Sequence, residues 1–217
     1  MKAQNEKLYN NSFLINAAQV VSDTFSPLLI PTYGMAMAMW LTSLRTLPER
    51  NRLIVTVYIA VLTGLFPLIY IMVMRRLNRV SDMSISRRSE RPWPMFVAML
   101  CYILAGFLLD KMHAPLWLQF FFYGAALATA VASIISIFWK ISAHATSIGG
   151  LVGLLLWFAV DGIADVNAMV LLTVGIIIAG IVSTSRLILH RHTLMQVLIG
   201  LILGLSCTFG LDFLILR

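Results

Sequence analysis

Charge is scarce in this chain: Asp, Glu, Lys and Arg make up 12% of its 217 residues, about half the share of an ordinary soluble domain. A solvated surface cannot be assembled from so few charges, which excludes a water-soluble globular protein. Cysteine is nearly missing. Cys101 and Cys207 both lie in apolar runs and no C-x-x-C occurs, so neither a zinc site nor a redox pair is expected, and both are read as packing residues. Low-complexity linkers and solenoid repeats are absent. The polar stretch Met1–Asn11 lacks the basic start, short apolar core and small-residue cleavage site of a secretory leader, so no cleaved signal is expected.

What the chain has instead is 60% hydrophobic residues and a mean hydropathy of +0.90. A bilayer-crossing helix needs about 20 mostly apolar residues. Seven stretches are candidates: Pro27–Leu44, Leu53–Met74, Pro94–Leu109, Pro115–Trp139, Ala145–Val160, Ala168–His190 and Leu194–Leu216. The expected fold is an all-α polytopic transmembrane helical bundle of six to seven spans. Residues 1–26 are read as an N-terminal interfacial segment, with Leu14, Ala18, Val21 and Phe25 near helical spacing, and 27–217 as one membrane domain. The tryptophans fall mostly near span ends, as in an aromatic belt. The methionines are read as packing residues. Gly149-x-x-x-Gly153 and Gly200-x-x-x-Gly204 suit close helix contact.

The formal net charge is +7, but the basic residues sit in short loops and not along one helical face. Nucleic acid is therefore not an expected partner; anionic headgroups or phosphates are. Ionisable groups are costly in lipid and tend to be functional, and three polar segments stand out. Residues 84–94 contain Arg87, Arg88 and Arg91. Residues 140–147 contain Ser142 and His144 at a helix start, where free N–H groups suit a phosphate. Residues 185–196 contain Ser185, Arg186, His192 and Gln196. His192 and Gln196 are four apart, so one helix face can hold a histidine ring and an oxygen that orients it. Two candidate spans separate the first segment from the second, and two more separate the second from the third. All three segments therefore face one membrane surface.

In order and spacing, over about residues 84–200, these segments resemble the type 2 phosphatidic acid phosphatase superfamily in a divergent, bacterial-type form. The family pattern is Lys, six residues, Arg-Pro; then Pro-Ser-Gly-His; then Ser-Arg, five residues, His, three residues, Asp. Here it reads Ser84 to Arg91-Pro92, then Ile141-Ser142-Ala143-His144, then Ser185-Arg186 to His192 and Gln196. The chain departs from the family at Ser84, where lysine is expected, and at Gln196, where aspartate is expected. Arg88, three residues before Arg91, is the preferred substitute for the lysine.

The resemblance implies a membrane-bound lipid phosphate or diphosphate phosphatase that needs no metal or other cofactor. His192 would be the nucleophile and carry the phosphoryl group, oriented by Gln196. His144 would serve as acid and then base. Arg91, Arg186, Arg88, Ser142 and Ser185 would hold the phosphate. The implied partners are a phosphorylated lipid and the surrounding membrane lipids, in a bacterial cytoplasmic membrane. Because a glutamine cannot neutralise an imidazolium, the alternative is a weak or inactive phosphatase-like protein that binds or transports such a lipid.

Asp161 and Asp165 offer a second, weaker reading as a magnesium–diphosphate site, on the opposite face by the same crossing count. Lys2, Lys7, Arg75, Arg76, Arg79, Arg87, Arg88, Arg91, Lys140, Arg186 and Arg191 share the site face, against Arg45, Arg50, Arg52, Lys111 and Arg217 opposite. The positive-inside rule then places the site face in the cytoplasm, mildly, because a phosphate site needs some of those cations wherever it faces.

Overall fold

The computed structural model describes residues 12–82, 85 and 87–217. Part of the expected interfacial segment, residues 1–11, and the Ser84 that stands in the lysine position lie outside the described residues.

Among the described residues eight helices follow one another: α1 (Ser12–Thr24), α2 (Ile30–Leu41), α3 (Glu49–Arg76), α4 (Pro92–Lys111), α5 (Leu116–Phe138), α6 (Ala143–Asp161), α7 (Ala168–Ile188) and α8 (Leu194–Leu216). Among the described residues no β-strand forms, and an isolated bridge joins Thr42 to Ala164. Six of these helices, α3 to α8, are long and apolar enough to cross a membrane. The seventh candidate, Pro27–Leu44, does not make a full crossing. It yields the twelve-residue α2, about 18 Å long at 1.5 Å per residue against a hydrocarbon layer of about 30 Å. Turns occupy residues 25–29 before it and a 3-10 turn, Ser43–Thr46, follows it.

Helix α3 crosses with a defect. Residues Val61–Leu65 are a π turn, and Phe66 N–H reaches back to the Val61 carbonyl. Pro67 follows directly. Proline has no N–H to give the fourth residue back and its ring crowds that carbonyl; a one-residue widening of the ladder absorbs both effects.

Helix α6 is the axis of the bundle. Of its hydrophobic window 67% is buried, against 22% for α7 and for α8. Its own Trp157 and Phe158 share the core with Trp117, Phe121 and Phe122 of α5, and Trp117 and Phe158 meet edge to face at 5.5 Å. Two tryptophans expected in an aromatic belt, Trp117 and Trp157, are therefore core residues, while Trp93 is exposed. The outer faces carry large apolar side chains such as Leu100, Ile103, Leu104 and Phe107 on α4, the surface a bilayer solvates.

The two small-residue motifs pack against each other. A Cβ at Gly149 would run into the Leu201 backbone, one at Gly153 into the Thr208 hydroxyl, and one at Gly204 into the Thr146 carbonyl oxygen. Backbone therefore touches backbone along α6 and α8, the close approach that small residues permit in membranes. His144 stands in the first turn of α6, and His192 stands just before α8. The glycine seam thus sets the separation of the two histidines. Gly204→Leu should cost about 3 kcal/mol or more through overpacking, seen as a melting temperature in detergent lower by roughly 6–12 °C. Gly210→Leu is the control, since nothing lies within 4 Å of a Cβ there.

Candidate active site

Each polar segment is held by its own local device. Arg91 ends a short 3-10 turn, Arg88–Glu90, directly before α4. It is 8% exposed, and its guanidinium donates through Nε to the Ile85 carbonyl (3.1 Å) and through Nη1 to the Ile141 carbonyl (2.7 Å). The first and second segments are thereby tied together. The second is tied to the third by the backbone, where Ser142 N–H donates to the Gln196 carbonyl at 3.2 Å.

The third segment turns on His190, at φ 50°. Arg191 N–H donates to the Arg186 carbonyl and His190 N–H to the Leu187 carbonyl, the crossed pair of a Schellman ending with a left-handed residue at C′. That turn stops α7 just after Arg186 and delivers His192 to the start of α8.

Four predicted residues line one cavity of ≈ 190 Å³: Arg91, His144, Arg186 and His192. Much of its remaining wall is apolar, including Ala98, Ala125, Ala128 and Ala132, with the hydroxyl residues Thr129 and Thr208 among them, and it reaches Tyr102 and Phe121. Tyr102 is eleven residues beyond Arg91 on α4, about 16 Å deeper at the helical rise. The cavity is cationic at one end and mostly apolar along the rest of its length.

Gln196 stands behind His192, with Oε1 3.1 Å from Nδ1. The same oxygen accepts from the Thr193 backbone N–H at 3.3 Å, as part of a capping box at the start of α8. A backbone N–H can only donate, so the atom turned to the histidine is the amide oxygen. Nδ1 must then carry the ring proton, and Nε2 keeps the lone pair. Burial, then the charges of Arg91, Arg186 and Lys140, push the His192 pKa down to about 3 against the raising effect of the Gln196 hydrogen bond. His192 is a neutral imidazole with a free Nε2 at any ordinary pH.

Three predicted phosphate ligands are not brought to the cavity. Arg88 is exposed and gives Nη1 to the Phe138 carbonyl at 2.6 Å, closing the open end of α5. Ser142 is fully buried as the N-cap of α6, accepting from Ala145 N–H. Ser185 donates to the Val182 carbonyl within α7 at 2.6 Å. Each is used by a helix end or a helix backbone, which spacing in a motif does not reveal.

Other groups were given no individual role from the sequence. Thr146 and Ser147 line the cavity, one and two residues beyond the expected Ala145 start. Lys140 lies near Arg91, Arg191 and Arg186; burial first and then these three charges lower its pKa, while Asp82 raises it. A lysine from the second segment thus joins the cationic group whose first-segment lysine is missing. Ser22, from α1, had no motif signal at all. It is 1% exposed; its hydroxyl accepts from Arg186 Nη1 and lies 3.2 Å from His144 Nε2.

Neither Arg91 nor Arg186 is ion-paired among the described residues, and the Arg186 Nε is buried with no hydrogen-bond partner there. A buried guanidinium short of acceptors is expensive, and an oxyanion supplies what it needs in bidentate form. On the opposite face Asp165 pairs with Arg45 at 2.8 Å and Asp161 with Arg217 at 4.0 Å. Asp161 closes α6 while Asp165 lies in the loop after it; the two carboxylates are in separate ion pairs and do not share a helix face. Compared with protein-family models, curated proteins and solved structures, this chain has no match.

Proposed function

We propose that this protein is a membrane-bound phosphatase of phosphorylated lipids, acting through a phosphohistidine on His192. The supporting observation is the pair of buried arginines that form no salt bridge among the described residues, set in one cavity with two imidazoles and an apolar extension. The apolar length suits a lipid tail, and the cationic end suits its phosphate or diphosphate. In this reading Arg91 and Arg186 hold phosphate oxygens and Nε2 of His192 attacks phosphorus. The P–N bond forms as the bond to the leaving alkoxide breaks, and the alkoxide takes a proton from His144. Water then attacks phosphorus, gives its proton back to His144, and breaks the P–N bond. Phosphoryl transfer asks mainly for positioning and charge stabilisation, and the arginines supply both.

The direct test is phosphate release from a phosphatidate or a polyprenyl diphosphate by purified protein in detergent. Turnover that is unchanged by EDTA is expected. No release from any phosphorylated lipid, together with tight headgroup binding, would favour the binding or transport reading that Gln196 in place of an aspartate raises. The preponderance of loop cations on the site face leans the site toward the cytoplasm; reagent access to a single engineered cysteine in the 77–82 loop of intact cells would settle the side.

The depressed histidine also links pH to stability. An unfolded His192 takes up its proton near 6.5, whereas the folded one resists until about 3. The unfolded chain therefore binds more protons between those values. Stability from this group is full above about pH 6.5 and is lost as pH falls toward 3. The melting temperature in detergent is expected to fall between pH 6.5 and 4, and to fall less steeply in His192→Gln.

A further inference from the structure

Helix α1 ends against the candidate site, and its last turn is chemically unusual. The final carbonyls of a helix have no partner within it. In α1 the Phe25 N–H goes to Val21 and the Ser26 N–H to Asp23, which leaves the Ser22 carbonyl without a backbone donor. His144 Nε2 takes that place, 3.1 Å from the Ser22 oxygen and 3.2 Å from its hydroxyl. These contacts join residues 122 positions apart in the chain. Tyr33 fixes the turn by donating from its hydroxyl to the Thr24 carbonyl at 2.9 Å.

The donor and acceptor roles follow. A carbonyl oxygen only accepts, and the Ser22 hydroxyl oxygen already accepts from Arg186 Nη1. A bare lone pair at Nε2 would face the carbonyl lone pairs, so Nε2 carries the ring proton and shares it between the two oxygens. Nδ1, which has no hydrogen-bond partner among the described residues, is the nitrogen left for proton transfer. The C-terminal end of a helix also carries partial negative charge, which steadies an imidazolium beside it.

We propose that Ser22 is a positioning residue for His144, so that α1 belongs to the catalytic machinery. Ser22 does for the acid–base histidine what Gln196 does for the nucleophile. Each ring is held at one nitrogen by a side chain or carbonyl and offers the other. In the forward step the bound phosphate monoanion passes its own proton to Nδ1, and that Nδ1–H protonates the leaving alkoxide. In the second step the same Nδ1 takes the proton of the attacking water, and Nε2–H stays on Ser22 throughout. This inference rests on the phosphatase reading for its consequence, and on the hydrogen bonds alone for its structural content.

Leaving-group dependence tests the consequence. An alkyl phosphate needs its leaving oxygen protonated, whereas p-nitrophenolate leaves without an acid. General acid–base catalysis contributes about 10²–10⁴ in rate, and a disoriented histidine forfeits part of it. Ser22→Ala in the full-length protein should lower kcat/KM for octyl phosphate about tenfold more than for p-nitrophenyl phosphate. Equal losses on both substrates, or none on either, would overturn the proposal. Nitrogen-15 spectra of the wild-type protein, with His144 identified from the His144→Gln variant, test the structural content without turnover. The expected signature is a proton on Nε2, with a resonance that moves in Ser22→Ala; a ring protonated on Nδ1, or one averaging both forms, would reject it. If neither substrate is hydrolysed by the wild type, the phosphatase reading fails while these spectra still decide whether Ser22 holds His144.

Discussion

His192→Ala is expected to abolish phosphate release, by a factor on the order of 10⁴ to 10⁶ in kcat, the scale seen when a nucleophile that forms a covalent intermediate is removed. The size follows from the geometry around Nε2. The ring is neutral, its proton is committed to Nδ1 by Gln196, which leaves Nε2 its lone pair, and the residue lines the cavity shared with Arg91 and Arg186. No neighbouring side chain can inherit that position, because His144 has its own Nε2 engaged by Ser22. Rapid quenching with a phosphorus-32 substrate should trap an acid-labile, base-stable adduct in the wild type and none in His192→Ala. An unchanged turnover, or an adduct that survives the substitution, would remove His192 from the role of nucleophile. The variant should still bind phosphatidate, since both arginines remain.

Substitutions at Gln196 separate its two features, the oxygen and the lack of charge. Gln196→Leu deletes the acceptor that fixes the tautomer, and a histidine in the wrong tautomer can cost as much as about 10⁴ in rate. We expect a loss of about 10³ in kcat/KM with little change in binding. Gln196→Asp keeps an oxygen in reach and adds a charge that steadies the imidazolium, so its expected effect is within about tenfold of the wild type. The ordinary objection to an amide here is that it can turn its NH₂ toward the ring and force the wrong tautomer. In this protein the Thr193 N–H holds the oxygen in place at 3.3 Å. The helix cap and the catalytic orienter are one group. If Gln196→Leu were as fast as the wild type, tautomer control by this residue would be refuted.

Much of the architecture was legible because hydrophobic run length is a one-dimensional quantity. Helix α8 begins and ends at Leu194 and Leu216 as expected, and α7 begins at Ala168. The other long spans match to within a few residues, and the exceptions have local causes. Pro67 shifts the hydrogen-bond register inside α3, and Ser142 caps α6 earlier than the apolar pattern does. The shared cavity of Arg91, His144, Arg186 and His192 was legible too, because two crossings return a chain to the same side. The roles of Arg88, Ser142 and Ser185 were not, because a helix terminus and a substrate phosphate ask for the same donors and acceptors. Only the neighbours, such as Phe138, Ala145 and Val182, tell which one a side chain serves.

Composition, run length and crossing parity are properties of the chain read in order, and they were enough to establish a helical membrane bundle and to bring Arg91, His144, Arg186 and His192 to one side. Contacts between remote residues carry no signature in that order. Nothing in positions 12–24 announces that a serine there will reach a histidine more than a hundred residues away. Nor does a pair of glycine motifs declare that each is the other's partner. Those outcomes depend on which helix faces meet, and that is set by the packing of the whole bundle, where backbone contact along α6 and α8 wins over any looser arrangement.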